Sequence, residues 1–283
     1  MTHLVALCCI SLYVIVSVLL LIHLWRARTT SRLVAASRVL FTVAWVLHSV
    51  TMVLVFRDPA LIALDNGADY FLWVSWVLSL VYLVGHRWVA FPLLGAFIVP
   101  AIVLFMGSSS YLLHMKTASL IPQTPSAAGE GLSLSLFHGI PALIAVVSLA
   151  LALAVSVAFL VVERRLKKRS TLVLEGPGVN LQLLDSLNRH LVQIGFVAIS
   201  LVIVSGGLWA VIEQKAIFTP DTSVISGLLV WTLLAGILHA RLVLRWSPRR
   251  VSRLTVFVTA SFLVSVFVVL AFAGRITHAT FWS

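Results

Sequence analysis

Nine histidines hold most of this chain's capacity for metal or acid–base chemistry, and four stand where an imidazole needs explaining. His48 and His239 interrupt long apolar runs, while His138 and His278 mark the ends of two others. The other five, His3, His23, His86, His114 and His190, fall at predicted membrane ends or in connections, where an imidazole is solvated or snorkels. A neutral imidazole is a good iron ligand, and bis-His ligation of a haem needs one nitrogen from each face of the ring. His138 and His278 are expected at a common depth, on the same side of a membrane. The segment from Trp209 to His239 returns to that side through Phe218-Thr219-Pro220-Asp221 and then passes a second tryptophan, Trp231. Indole faces stack well on a porphyrin, and Asp221 is placed to orient such a loop. His138, His278 and this loop either frame one haem at the outer face or are unrelated interfacial groups.

The second pair is set differently. His48 lies ten residues from Arg38 and His239 two from Arg241, so at roughly 1.5 Å per residue their depths differ by about 10 Å. One iron between them would require tilted or kinked helices. Polar side chains inside spans are costly and usually face a bundle interior. Both histidines are therefore expected to be buried in protein, as ligands or as hydrogen-bond partners of a neighbouring helix. Cys8 and Cys9 are adjacent within an apolar run, which rules out a CxxC redox pair and a CxxCH haem-attachment site. The sequence has no HExxH, GxSxG or phosphate-binding glycine loop. Glu213 and Asp221 read as solvated acids at outer helix ends. The chemistry on offer is ligand binding, with no evident catalytic site.

These residues must be positioned by helices in a bilayer. Of 283 residues, 61% are hydrophobic and 10% charged, and the mean hydropathy is +1.10, values far from those of soluble domains. A spanning helix needs about 20 mostly apolar residues. Eight runs qualify: 3–25, 39–56, 70–86, 88–106, 134–162, 191–213, 223–243 and 253–275. The expected fold is an all-α integral membrane protein, a polytopic bundle of about eight transmembrane helices forming a single domain over 1–283. The longest connections, 107–133 and 163–190, are too short to bury cores of their own. The first run lacks a basic leader and is followed by Trp25 and arginines, so it reads as a retained helix.

Charge supplies the orientation. Of the 20 Lys and Arg, 16 fall in alternate connections, among them Arg26 to Arg38, Arg164 to Arg169 and Arg241 to Arg253. Only Arg57, Lys116, Lys215 and Arg275 fall on the other side. The positive-inside rule then places the basic connections in the cytoplasm and both termini outside. The net charge of +11 and the pI near 10.8 accordingly point to anionic lipid headgroups as partner, not to nucleic acid. Pro92 and Pro100 predict a kink in the fourth span. The stretch 107–133 reads as a mobile loop or, around Tyr111, His114 and Met115, as a short interfacial helix. The fifth span is long enough to require tilt or projection. Residues 170–190 read as a turn at Glu175-Gly176-Pro177-Gly178 followed by an amphipathic lead-in to the sixth.

The spacing of these residues resembles the cytochrome c assembly family, the haem-handling membrane proteins that include CcsA, CcmC and the HemX and YpjD branch. In CcsA-like proteins a Gly-x-x-Trp leads into a tryptophan-rich WWD segment with the core Trp-Ser-Trp-Asp-Pro, and a further Trp precedes Leu-His at the end of the next helix. Here Gly206-Gly207-Leu208-Trp209, Phe218-Thr219-Pro220-Asp221, Trp231 and Leu238-His239-Ala240-Arg241-Leu242 fall into that register. Arg245-Trp246-Ser247-Pro248-Arg249-Arg250, another span and a terminal His278 follow, and His138 heads the preceding long helix. The resemblance covers 137–280, with 209–222 as a degenerate WWD-type loop. It implies haem ligation by His138 and His278, a membrane haem site involving His239 and His48, and Trp209, Phe218, Asp221 and Trp231 as the presenting surface. The loop's core tryptophans are replaced by Phe218 and Pro220, which resembles the small eight-helix HemX and YpjD branch.

Two functions of different class are expected from this combination. One is haem binding or handling at the outer face of the bacterial inner membrane for cytochrome c biogenesis, with other maturation components as partners. The other is a regulatory or scaffolding membrane protein without haem, HemX-like, influencing tetrapyrrole synthesis through its basic inner loops. A transporter is disfavoured, because the sequence has neither an inverted repeat nor paired intramembrane carboxylates.

Overall fold

A computed structural model describes residues 2–25, 31–56, 67–85, 91–117, 130–167, 180–212 and 222–276. Among these residues the chain is entirely helical apart from short turns: α1 Thr2–Trp25, α2 Ser31–Val55, α3 Gly67–Gly85, α4 Phe91–Thr117, α5 Glu130–Lys167, α6 Leu181–Ile212, α7 Thr222–Leu242 and α8 Pro248–Ile276. All eight are long and apolar enough to cross a membrane, as the eight runs require. Inside a bilayer the backbone must satisfy its own hydrogen bonds, so apolar runs of this length become helices irrespective of residue propensity.

The helix ends depart from the apolar limits. α4 continues through Tyr111 and His114 to Thr117, where the sequence left a loop or a separate interfacial helix open. Leu112 is buried in that extension, so packing carries the helix past the hydrophobic run. Pro92 is the second residue of α4, in the first turn, where no helix hydrogen bond is lost, and Pro100 lies in the interior. α5 runs for 38 residues with Pro141 inside it. The amphipathic lead-in expected before the sixth span is the first part of α6. It is started by Asn180, whose Oδ1 accepts from the backbone N–H of Gln182 at 2.8 Å and Leu183 at 3.3 Å. The turn expected at 175–178 and residues 118–129 of the 107–133 stretch lie outside the described residues.

α5 is the axis of the molecule. It packs against α6 and α8 on one side and against α3 and α4 on the other. The first four helices form one group, in which α1 pairs with α2 and α4, and α3 with α4. α7 closes the second group against α6 and α8. Glycine brings α5 and α6 close: a Cβ on Gly195 would lie 2.7 Å from Leu149 Cδ2, and Leu149 is fully buried. Small residues at helix contacts are the usual means of gaining dispersion energy where lipid removes the hydrophobic drive to associate. Phe267 of α8 ties the two groups together, stacked on Phe71 of α3 at 4.9 Å and on Phe105 of α4 at 4.8 Å.

One end of the bundle is stapled by charge. Arg165 donates to the Leu24 carbonyl at the end of α1 (2.7 Å). Glu163 of α5 pairs with Lys167 at 2.8 Å and with Arg249 of α8 at 3.3 Å. Arg241 of α7 pairs with the Asp185 carboxylate and donates to Asn188 Oδ1 at 3.2 Å, and the Asn188 amide donates to Ser156 Oγ of α5. At this same end the chain turns between α7 and α8 on Arg245, a non-glycine residue with φ of 48°.

Candidate functional site

The opposite end of the bundle gathers the start of α5, the end of α6, the start of α7 and the end of α8, because the four helices alternate in direction. That direction is fixed by the Glu163–Arg249 and Asp185–Arg241 pairs, which place the other termini together. His138 stands on the third turn of α5 at this end, half-buried. Its Nδ1 lies 3.0 Å from Ser205 Oγ on α6. The Ser205 hydroxyl donates to the Val202 carbonyl at 3.1 Å. The ring lies over Gly206, where a Cβ would meet Cε1 at 3.4 Å and Nδ1 at 3.7 Å. Gly206 is the first residue of the Gly-x-x-Trp, so the motif's glycine is the surface on which this histidine rests.

The remaining expected site residues fall into three groups. Trp209 is placed in the last turns of α6, beyond Gly206 on the way to the loop, though its side chain is outside the described residues. Phe218, Asp221 and His278 also lie outside them. α6 ends at Ile212, α7 begins at Thr222 and α8 ends at Ile276, so the chain enters and leaves these segments at the His138 end. Trp231 lies deeper, within α7. Its ring stacks on Phe196 of α6 at 5.5 Å, and its Nε1 donates to Ser200 Oγ at 2.9 Å. Its visible work is joining α6 to α7.

His48 and His239 are not brought together, since α2 packs against α1 and α3 while α7 packs against α6 and α8. His48 is 0% exposed, as its mid-span position requires. Its Nδ1 faces the Tyr13 hydroxyl of α1 and its Nε2 the Ser75 hydroxyl of α3, each at 3.4 Å. His239 corrects the expectation of burial: it is exposed. Val230, Leu234 and Ile237 form the buried face of α7, and His239 falls on the other face with Ile225, Leu229, Thr232 and Gly236. Hydropathy could not separate the two faces, because both are apolar.

Ser205 is the site residue that the sequence did not announce. In Val204-Ser205-Gly206-Gly207 it reads as one more small packing residue, and its partner is 67 positions away. No group of three or more His, Cys, Asp or Glu that could hold a bare metal ion exists among the described residues. The described metal-ligating side chain at this end is the His138 imidazole, presented from a helix.

Eight helices long and apolar enough to cross a membrane, packed as a bundle, define a polytopic membrane protein. Residues 64–275 match the family described as Cytochrome C assembly protein. The chain belongs to that family, and the match reaches back to α3, further than the motifs from His138 onward. It is similar to the cytochrome c biogenesis protein CcsA of Synechococcus sp. (strain CC9902), with 24% identity over 260 residues covering 84% of each chain. CcsA of Synechococcus sp. (strain CC9605) is 24% identical over 247 residues, covering 80% of each.

Proposed function

We propose that this protein binds and presents haem at the end of the bundle that carries His138, for cytochrome c biogenesis. The observation that supports the reading best is the His138 ring itself. It is half-buried at the α5–α6 contact, seated on the Gly-x-x-Trp glycine and hydrogen-bonded through Nδ1. His138 and His278 would hold the haem iron, and Trp209, Phe218 and Asp221 would present the porphyrin. The fit is chemical: an imidazole whose Nδ1 is engaged offers Nε2 to iron. Haem is cargo here. The protein's own part is to ligate, orient and shield it, with no bond-making step, so the reading is of a carrier and not an enzyme. The excess of Lys and Arg at the stapled end supports reading that end as cytoplasmic and the His138 end as the outer face of a bacterial inner membrane. The acceptor is a cytochrome c maturation component.

Purified protein, as isolated or after hemin addition, is expected to show the absorption spectrum of bis-His haem, weakened in His138→Ala and in His278→Ala. Absence of any haem band in the unaltered protein under both conditions would overturn the reading.

A second reading is favoured by one observation, the replacement of the loop's core tryptophans by Phe218 and Pro220. In it the protein is a HemX-like scaffold that acts through the basic end without haem. Co-purification of a cytosolic partner that is lost when Arg245, Arg249, Arg250 and Arg253 are neutralised would support it, and an unchanged set of partners would sink it.

A further inference from the structure

We infer that Ser205 is the positioning residue for His138: it selects the imidazole tautomer and, with Gly206, sets where the ring stands. The inference rests on the haem-binding reading for its purpose, but its geometry stands apart from haem. The Ser205 hydroxyl hydrogen is directed to the Val202 carbonyl at 3.1 Å. A hydroxyl that has given its only hydrogen to a carbonyl can only accept from a further partner. The neighbour 3.0 Å away is His138 Nδ1, so Nδ1 carries the ring hydrogen. In a neutral imidazole a hydrogen on Nδ1 leaves the lone pair on Nε2.

The ring's position is fixed by the same two residues. Ser205 is 4% exposed, so its hydroxyl has little freedom to turn away. A Cβ on Gly206 would reach ordinary contact with Cε1 at 3.4 Å and Nδ1 at 3.7 Å. The ring therefore stands over the backbone with room for no more than a methyl group, and anything larger at 206 would lift it. Residues that hold the second nitrogen of a ligating histidine set both its tautomer and its basicity. The arrangement at His48 is opposite in sense. Ser75 donates its hydroxyl hydrogen to the Leu72 carbonyl at 2.9 Å, so it accepts from Nε2–H, and the His48 lone pair is on Nδ1, facing Tyr13. The two buried-side histidines are thus set in different tautomers by the same device, a serine whose hydrogen is already committed to its own helix.

The test uses the full chain in lipid nanodiscs, with histidine labelled by ¹⁵N and His138 identified by the resonances that vanish in His138→Gln. Without haem, Nδ1 is expected to resonate as the protonated nitrogen and Nε2 as the unprotonated one. Ser205→Ala should lose that preference and Ser205→Thr should keep it. Hemin titration of the same samples should show binding about 10- to 100-fold weaker in Ser205→Ala and rescued in the conservative Ser205→Thr, with Gly206→Val impaired. A His138 that carries its hydrogen on Nε2, or a tautomer unchanged by Ser205→Ala, overturns the inference whatever hemin does. A changed tautomer with hemin affinity unchanged overturns its role in ligation. Should the tautomer respond as expected while the unaltered protein binds no hemin, Ser205's control of His138 is upheld and the haem reading alone falls.

Discussion

His48 and His138 show how little a residue's type says about its role until its partners are known. Both are histidines in apolar helices, and the sequence offers each to a haem. The structure gives His48 two hydroxyl partners from two other helices and complete burial, the circumstances of a group that holds α1, α2 and α3 together. His48→Ala is expected to lower stability by about 1–3 kcal/mol, from lost hydrogen bonds and an unfilled space. Thermal melting in detergent should show the loss, while the hemin spectrum keeps its form. A stable His48→Ala protein that no longer takes up hemin would instead make His48 a ligand. What was legible at this scale was depth: His48 was expected inside protein and is, because a polar ring in mid-span has no alternative. What was not legible was facing. His239 sits in a helix apolar on all sides, and nothing in Leu238-His239-Ala240 tells which side meets α6. Ser205 was invisible for a related reason, since its meaning lies wholly in a residue of another helix.

At the scale of the element, the close contact of α5 and α6 is what allows a serine on one helix to hold a histidine on the other. Gly195 and Leu149 set that distance some ten residues below Ser205. Gly195→Ala places a methyl 2.7 Å from Leu149 Cδ2 and 3.0 Å from its Cγ, so the fully buried Leu149 side chain must shift. Overpacking of this kind costs about 1–3 kcal/mol. The helices should part enough to loosen the His138–Ser205 hydrogen bond, so hemin affinity should fall although the change is remote from the ring. Leu149→Ala in the same chain should restore much of both, measured as a double-mutant cycle on melting temperature and hemin affinity. Equal, additive losses would show that the two residues do not set the spacing. The existence of eight helices was legible from apolar length alone, because a bilayer permits little else. Their ends were not. Tyr111 to Thr117 is polar enough to read as a connection, and only the burial of Leu112 shows why the helix goes on.

The whole molecule is two helix groups joined along α5 and by one aromatic insertion. Phe267 completes a three-ring cluster with Phe71 and Phe105, which are 5.8 Å apart, and so carries the second group onto the first. Phe267→Ala is expected to cost about 3 kcal/mol, and Phe267→Leu about half as much, because stacking as well as burial is lost. If both groups rely on this contact, melting should become broader or separate into two steps in Phe267→Ala. A single sharp transition at unaltered temperature would mean that α5 alone holds them. No reading of one chain position after another reveals this joint, since its three rings come from the third, fourth and eighth helices. Length has a further consequence. The 38 residues of α5 make a rod of about 57 Å in a hydrocarbon layer of about 30 Å. The 19 residues of α3 and 21 of α7 make rods of about 29 and 32 Å. A thicker or thinner bilayer hardly disturbs α5, which projects in either case, whereas α3 and α7 have almost no spare length. Hydrophobic mismatch is therefore borne by these two helices, and α7, with the smallest buried share of any span, is the one able to yield: lipid chain length becomes a mechanical load applied selectively to the helix that carries Trp231 and His239.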